Sequence, residues 1–449
     1  MTAAPLGDSG TPAERGARSD APGAWFVVVL LGLVYALNIA DRYMISVLIE
    51  PIKADLHLSD SKVGFLTGVA LALFYVTAGI PMAVLADRTN RTRLIAASLA
   101  AWSLFTALCG TARSFAQLLL ARVLVGVGEA GGTPPSTSLI SDYFGWRRRA
   151  LALSVYSVGA SIGSMIGTSA GWISDHWGWR SAFFVLGLPG LVVALVLVLT
   201  VREPPRGRLD LRHEREEGAG FWEVLRYAAH TPAMLHCLLA GFLYCLWAWG
   251  LMWWTPSYLV RSFHLSLTDA GEMLALINGV GGTIVLIATS MITRAIAGAD
   301  IRALPRFIAL ACTLGTVPSI IAFTSHDLAT VRLALWIFIP ITYAVFGPPY
   351  ALMQNLAPAR MRAQAMCLLM MASNVGNLIV APQLVGILSD ALAPHFGAES
   401  LRWALLPLTF VGLWSALHWW LASRHLASGM IRAGTLAVKA DEGLAVKAG

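Results

Sequence analysis

The chain has 449 residues, of which 57% are hydrophobic and 13% charged, and its mean hydropathy is +0.67. A soluble protein carries about 25% charged residues, so this composition excludes a soluble globular protein and predicts an integral membrane protein. The net charge of +7 could suggest nucleic acid, but the positions of the basic residues favour membrane topology, as set out below.

Twelve apolar stretches follow one another along the chain, each about long enough to cross a bilayer as a helix. They lie near 25–49, 62–86, 93–112, 114–140, 148–174, 180–201, 232–260, 270–296, 303–325, 331–355, 364–389 and 401–423. Stretches of this length favour a bundle of transmembrane helices over a barrel of alternating strands. The fold class expected is therefore an all-α membrane protein with twelve transmembrane helices.

The segments between the spans predict the domain organisation and the orientation. We expect a six-helix half at 24–201, a charged cytoplasmic linker at 202–230, a second half at 231–425, and disordered cytoplasmic tails at 1–23 and 426–449. With both termini inside, 23 Lys and Arg residues lie in cytoplasmic segments and seven in outer loops. Positive residues stay on the cytoplasmic side, so this orientation is predicted, in a bacterial inner membrane.

A faint parallel repeat links the two halves. Gly132-Thr-Pro-Pro135 in the first half is echoed by Gly347-Pro-Pro349 in the second, and Asp175 by Asp390, at offsets of 214 to 215 residues. A six-plus-six arrangement with a charged linker resembles the layout of the major facilitator superfamily.

The loop after the second span carries a sharper motif. The segment from Ala83 to Arg93 contains Asp87, Arg88 and Arg91, and it resembles the superfamily signature G-x-x-x-D-R-x-G-R-R, with Ala83 and Asn90 in place of two glycines. We expect these three residues and Asp142 to form a cytoplasmic gate, in which Asp87 caps a helix N-terminus and Arg88 pairs with Asp142. The alternative is an ordinary positively charged turn.

Four charged residues lie inside predicted spans, where each costs about 2.5–3.5 kcal/mol on insertion scales. They are Asp41 and Arg42 in the first span and Arg122 and Glu129 in the fourth. Asp41 and Arg122 are at similar depth, and Glu129 lies about 10 Å deeper on the face of Arg122. We expect the four to converge, with Asn38 one turn away. The alternative is a purely structural ion-pair cluster.

The equivalent positions of the second half are not charged. At the repeat offset, Asp41 corresponds to Thr255 and Glu129 to Tyr343, and Trp247 belongs to an aromatic run nearby. One wall of the predicted cavity is therefore charged and the other aromatic, which favours an amphipathic solute. Interfacial anchoring in the membrane is the alternative explanation for the tryptophans.

Further motifs resemble one family within the superfamily. Asn38-x-x-Asp41-Arg42-Tyr43, Asp55-Leu-x-Leu-Ser-Asp60 and Arg122-Val-Leu-Val-Gly-Val-Gly-Glu129 resemble the spinster family of lipid transporters. This resemblance implies proton-coupled transport of lysolipids or sphingosine-phosphate-like molecules. It also implies that Asp41, Arg42, Arg122 and Glu129 form the working cluster. Because Asp41 and Glu129 are the mid-span carboxylates, we expect them to couple protons, and we expect Asn38, Arg42 and Arg122 to bind substrate together with the three residues of the aromatic wall.

Two alternatives stay open, a carrier for small organic anions and a non-transporting receptor or sensor. An enzyme is disfavoured, because neither a nucleophile–base pair nor metal-ligand spacing is evident, and without a phosphate-binding loop ATP drive is not expected. We predict no metal and no cofactor, with the proton gradient as the energy source. The expected partners are the lipid bilayer and a small amphipathic substrate, but no nucleic acid, and the chain is expected to act as a monomer. The glycines Gly159, Gly163, Gly167 and Gly171 indicate either a sliding seam between the halves or plain helix packing.

Overall fold

A computed structural model describes residues 20–205, 219–296 and 300–436. The predicted tails lie outside these residues up to residue 19 and from residue 437, as do residues 206–218 of the predicted linker. Within the described ranges the regular structure is entirely helical.

The apolar stretches of the first half form the helices expected, several of them interrupted. They are α1 (Ala24–Val47), α2 (Ile49–Leu56), α3 (Asp60–Gly64), α4 (Ala70–Arg88), α5 (Arg91–Cys109), α6 (Phe115–Glu129), α7 (Thr133–Tyr143), α8 (Trp146–Thr168), α9 (Ala170–Trp177), α10 (Trp179–Gly187) and α11 (Pro189–Thr200). A π-helical turn, Phe65–Val69, joins α3 to α4. Side-chain caps begin three of them, since Ser59, Ser114 and Asn90 accept hydrogen bonds from the amides of Lys62, Gln117 and Arg93, respectively. Asn90, which replaces a glycine of the signature, thus caps the third span.

The second half is built in the same way. Its helices are α12 (Phe221–Ala229), α13 (Pro232–Phe263), α14 (Leu267–Leu276), α15 (Gly282–Ile296), α16 (Ala303–Thr324), α17 (Leu328–Thr342), α18 (Pro348–Leu356), α19 (Arg362–Asn374), α20 (Ala381–Phe396) and α21 (Ser400–Arg432), with π-helical turns at Ile277–Gly281 and Val375–Val380. The last helix continues to Arg432, past the predicted start of the tail at 426, and α12 lies inside the predicted linker.

Ten stretches of the described chain are long and apolar enough to cross a membrane. One of them, Ala359–Arg432, contains both the eleventh and the twelfth predicted span, as α19–α20 and α21. The second span, α3 to α4, is helical but is not among the ten. The twelve-helix prediction agrees with this description.

The fourth span breaks where a continuous helix was expected. Helix α6 ends at Glu129, and α7 starts at Thr133, directly before Pro134 and Pro135. Proline lacks the amide hydrogen that would continue the helical ladder, so it begins a helix but disrupts its interior. The tenth span breaks at the equivalent place, before Pro348. The repeat seen in the sequence is therefore also a repeat of helix breaks.

The chain divides into two compact units that differ from the predicted halves. The first comprises Met1–Leu48 and Leu73–Glu214, and the second comprises Ile49–Ala72 and Arg215–Gly449. Ile49–Ala72 joins the second unit because Gly64 and Gly68 allow close packing. A Cβ atom at Gly64 would lie 2.4 Å from the carbonyl oxygen of Pro382, so any side chain there would separate the two helices.

The glycine ridge of the fifth span packs within the first unit. Cβ atoms at Gly159, Gly163 and Gly167 would lie 2.3 to 2.5 Å from carbonyl oxygens of the first span, those of Gly32, Ala36 and Ala40. The ridge therefore brings α8 against α1, which supports the packing alternative rather than the sliding seam.

Candidate functional site

The predicted intramembrane charges of the first unit meet in two pairs. The first joins Asp41 on α1 to Arg122 on α6, with Nη1 of Arg122 2.5 Å from Oδ2 of Asp41. Thr106 on α5 donates its hydroxyl hydrogen to Oδ1 of Asp41 at 2.7 Å. Arg122 is 1% and Asp41 5% exposed, so this carboxylate has a different partner on each oxygen and is shielded from solvent.

The second pair joins Arg42 to Glu129, with Nη2 of Arg42 2.9 Å from Oε2 of Glu129. Glu129 is 1% exposed, and its Oε1 is buried without a hydrogen-bond partner among the described residues. The Nε atom of Arg122 is in the same situation. Because buried polar atoms are normally satisfied, these two atoms mark a place where another group can bind.

Glycines of the fourth span bring these charges close to the third span. A Cβ atom at Gly128 would lie 2.9 Å from Trp102, and one at Gly131 would lie 2.1 Å from the hydroxyl oxygen of Ser98. Helices α5 and α6 therefore pack closely, and Thr106 of α5 and Arg122 of α6 both bond the Asp41 carboxylate of α1. The convergence predicted from depth is confirmed by the two pairs, and Asn38, 7% exposed, lies one turn before them. The roles of these residues stay predictions.

The predicted cytoplasmic gate has a different pairing from the one expected. Asp142 pairs with Arg91, at 2.6 Å between Oδ2 and Nη1, whereas Arg88 is exposed. Arg91 is 3% exposed because it begins α5 and points into the unit, where its Nε also bonds Glu203 at 2.6 Å. Arg91 therefore takes the place predicted for Arg88, and Glu203 is a partner that the sequence did not indicate. The side chain of Asp87 lies outside the described part of the chain.

The second unit contains an aromatic cavity of about 70 Å³. Its lining includes Tyr244, Trp249, Phe346, Tyr350, Ser373 and Trp419. Trp249 and Phe346 meet edge to face, with ring centroids 5.9 Å apart. The second unit thus contains an aromatic cavity with hydroxyl groups in its lining. The residues that line it are not the three that the sequence repeat predicted.

Two of the three residues predicted for this wall are packing residues. Trp247 is fully buried against Phe338 and donates its indole hydrogen to Ser319 at 3.4 Å. Thr255 is fully buried and bonds the carbonyl of Leu251 in its own helix. Tyr343 is 8% exposed and stacks on Phe346, whose side chain does line the cavity. The repeat offset predicts depth but not the rotation of a helix about its axis.

A second charged cluster, not foreseen as a site, lies at the predicted outer end of the second unit. Arg261 binds Asp60 with both terminal nitrogens, at 2.6 and 2.7 Å, and its Nε bonds Glu50 at 2.9 Å. Lys53 and Ser389 add two further hydrogen bonds to the Asp60 carboxylate. We call these five residues the outer cluster. Asp60 already stood in one of the quoted motifs, so its sequence signal was available.

Beside the outer cluster, hydrogen bonds from backbone amides to Asp390 also tie two helices together. The carboxylate of Asp390, at the end of the eleventh span, accepts hydrogen bonds from the amides of Asp60 and Ser61 at 2.9 and 2.8 Å. These amides belong to the first turn of α3, where a carboxylate satisfies free donors and the helix dipole. Asp390, known from the sequence only as a repeat match, is therefore a helix cap.

Comparison with known proteins agrees with this architecture. The Major Facilitator Superfamily family profile matches residues 31–381. An MFS-type efflux pump of Mycolicibacterium smegmatis is 32% identical over 417 residues, covering 91% of this chain and 94% of that protein. Protein spinster homolog 1 of Homo sapiens is 29% identical over 421 residues, covering 86% of this chain and 78% of that protein.

A solved structure extends the likeness to three dimensions. The crystal structure of a bacterial homolog to the human lysosomal transporter spinster, in an inward-facing and unoccupied conformation, superposes with a TM-score of 0.79 at 28% identity, covering 91% of this chain and 98% of that one. Among the described residues no group of three or more His, Cys, Asp or Glu could hold a metal ion. The chain therefore belongs to the major facilitator superfamily, and within it the chain is similar to the spinster transporters.

Proposed function

We propose that the protein is a proton-coupled secondary active transporter, working by alternating access on an amphipathic, anionic, lipid-like solute of the lysolipid or sphingosine-phosphate type. The observation that carries the proposal is the pair of arginine–carboxylate contacts in the first unit, Asp41 with Arg122 and Arg42 with Glu129. Desolvation offsets most of the attraction in a buried ion pair, so stability alone is a weak reason to keep two of them at membrane depth.

Competition for the arginines links substrate to protons. An anionic head that bonds Arg122 or Arg42 takes the place of a carboxylate, and the released carboxylate loses the charge that favoured its ionised form. It then binds a proton more readily, and the neutral group costs less to move through a low-dielectric region. By linkage, protonation in turn favours substrate binding by the same factor.

The unpartnered atoms of the pairs support an additional ligand there. The buried Nε of Arg122 is a donor for a head-group oxygen, and Oε1 of Glu129 is free to accept a proton or a hydroxyl hydrogen. A guanidinium presents its donors in a planar fork that fits phosphate and carboxylate groups. An anionic head group is the ligand that uses these atoms best.

The aromatic cavity of the second unit supports an apolar portion in the solute. Trp249, Phe346 and Tyr350 line it, and the hydroxyl group of Ser373 and its neighbour Tyr244 add polar atoms. Ligand sites in general combine apolar walls with a few placed polar groups. A small, fully hydrophilic anion would leave such a wall in contact with polar surface, so the lipid-like solute is preferred to small organic anions.

Transport into proteoliposomes made with the purified protein tests this proposal. A lysophospholipid, a sphingosine phosphate and a sugar acid are each offered with and without a pH gradient, in both gradient directions because one relative is named an efflux pump. We expect gradient-dependent movement of at least one lipid-like solute. Accumulation of the sugar acid alone would replace the substrate class, and binding without movement of any solute would favour a receptor.

A further inference from the structure

A small cavity of about 10 Å³ lies beside the Asp41 carboxylate in the first unit. Asp41, Ser103 and Thr106 supply its polar lining, and Met44 and Leu186 are among the apolar side chains that complete it. A buried water molecule needs about this much space and two to four polar partners. The cavity therefore fits one water molecule with three protein partners.

We propose that Thr106 and one water in this cavity form a proton-exchange station that positions Asp41 for protonation. This inference rests on the proton coupling proposed above, and it assigns the residues that hold the Asp41 carboxylate in position for proton exchange. Thr106 donates to Oδ1 of Asp41 at 2.7 Å while Arg122 holds Oδ2. The oxygen that is not held by Arg122 is the one that takes the proton.

A hydroxyl group suits this exchange because it donates one hydrogen bond and accepts others. While Asp41 is ionised, the Thr106 hydroxyl donates to it. When a proton arrives through the cavity water, an O–H bond forms at Oδ1 and the hydrogen bond reverses, so that Asp41 donates to Thr106. The Thr106 hydrogen then turns to the cavity water, which Ser103 also holds. Both protonation states stay hydrogen-bonded, and the water returns to neutral once the proton has moved.

The charged and titratable groups around Asp41 come from three helices. Arg42 is its neighbour on α1, Arg122 and Glu129 lie on α6, and Cys109 lies on α5 within electrostatic reach. The sixth span contributes Leu186 and Gly187 to the cavity, neither of which titrates. Thr106 is therefore the neutral hydrogen-bonding partner through which the protonation of Asp41 can be adjusted without changing the charge of the cluster.

The test measures the protonation of Asp41 directly, by infrared difference spectroscopy of the protonated carboxyl stretch during a pH titration. Subtraction of the Asp41→Asn spectrum isolates the Asp41 signal. Thr106→Val keeps the shape but removes the donor to the ionised form, and hydrogen bonds to charged groups are about twice as strong as neutral ones. We expect the midpoint to rise by roughly half a unit to one unit, and Thr106→Ser to restore it. Ser103→Ala weakens the hold on the water that the protonated form needs, so its midpoint should fall.

We expect gradient-driven transport to change in the same variants as the infrared midpoint, with Thr106→Val altered and Thr106→Ser close to the wild type. A midpoint unchanged in Thr106→Val would overturn the station, as would an equal shift in the control Thr111→Val, whose hydroxyl bonds the Leu108 carbonyl away from the cluster. A wild-type protein without gradient-driven transport would refute the proposed coupling, while the infrared midpoints would still report on Thr106. The two failures are therefore distinguishable.

Discussion

The paired charges of the first unit and the outer cluster of the second unit both contain arginine, aspartate and glutamate, but their carboxylates differ in how many hydrogen bonds they accept. The Asp60 carboxylate accepts four side-chain hydrogen bonds, two of them from Arg261. Asp41 accepts two, and Glu129 accepts one. The Asp60 carboxylate thus accepts as many hydrogen bonds as its two oxygens allow, whereas the two inner carboxylates accept fewer.

This difference indicates which cluster can exchange partners. To release Asp60, the protein would have to break a bidentate pair and two further bonds together, and the cost rises with each one. To release Glu129, it breaks one contact with Arg42, which is itself partly exposed at 17% of its side chain. Binding of a ligand to Arg42, or of a proton to Glu129, can offset the loss of this one contact. We therefore interpret the outer cluster as a structural contact that holds helices together, and the inner pairs as a site whose carboxylates and arginines can exchange partners.

The largest effect is expected from removing the centre of the outer cluster. Arg261→Ala leaves Asp60 and Glu50 without their guanidinium, and breaking a buried pair in this way costs about 3–5 kcal/mol. The free energy of unfolding and the melting temperature in detergent should both fall. Arg332→Ala, an exposed arginine on the same predicted side, is the matched control and should melt like the wild type. Equal melting temperatures for the two variants would show that the outer cluster does not stabilise the fold.

The next effect concerns the inner carboxylates. Glu129→Gln mimics the protonated form, so we expect solute binding within a few-fold of the wild type but loss of gradient-driven accumulation. Asp41→Asn should impair coupling more severely, because the side chain of its partner Arg122 is 1% exposed, whereas that of Arg42, the partner of Glu129, is 17% exposed. Binding and proteoliposome accumulation measured on the same preparations separate the two effects.

The control for these carboxylates is Glu272→Gln, an exposed acid in the second unit. It should leave accumulation unchanged. Wild-type accumulation in both Glu129→Gln and Asp41→Asn would show that the inner pairs are as structural as the outer cluster, and the proposed coupling would be wrong.

A smaller effect is expected when the charge of an inner arginine is kept and its shape is changed. Lysine at position 122 or 42 supplies a point charge without the planar fork, so the carboxylate contact can persist while the grip on an anionic head weakens. We expect transport to fall about tenfold, which corresponds to one strong hydrogen bond, with unchanged melting. Arg113→Lys, at an exposed arginine, is the control. Full transport in Arg122→Lys and Arg42→Lys would indicate a purely electrostatic role.

The sequence predicted well what depends on length and depth. Apolar stretches of about 20 residues define spans, and counting residues from the span ends was enough to bring Asp41, Arg122 and Glu129 together. The helix breaks before Pro134 and Pro348 were less evident, although their glycines and prolines had been noticed as a repeat. Depth along a helix follows directly from residue number.

Rotation and partner choice could not be read in this way. Trp247 was placed at the correct depth for a cavity, but it turns towards Phe338 and is buried. Thr106 carries no sequence signal at all, since a threonine in an apolar span most often bonds its own helix, as Thr255 does. Which side chains meet depends on how the helices pack, and several arrangements share the same apolar pattern.

The smallest effect is expected at the cytoplasmic gate, from Arg88→Ala. Arg88 was predicted to pair with Asp142, but Arg91 forms that contact and Arg88 is exposed. Exposed ion pairs contribute about 0–1 kcal/mol, so Arg88→Ala should change the ratio of conformational populations less than about fivefold. Arg91→Ala, which leaves the carboxylates of Asp142 and Glu203 without their shared partner, should shift it much further towards the inward-facing state. Inter-spin distance distributions between labels at the predicted cytoplasmic ends of the two units measure both variants. A larger shift for Arg88→Ala than for Arg91→Ala would assign the gate to Arg88, the residue that the signature motif indicated. The contact made by Arg91 would then be a structural contact, like that made by Arg261.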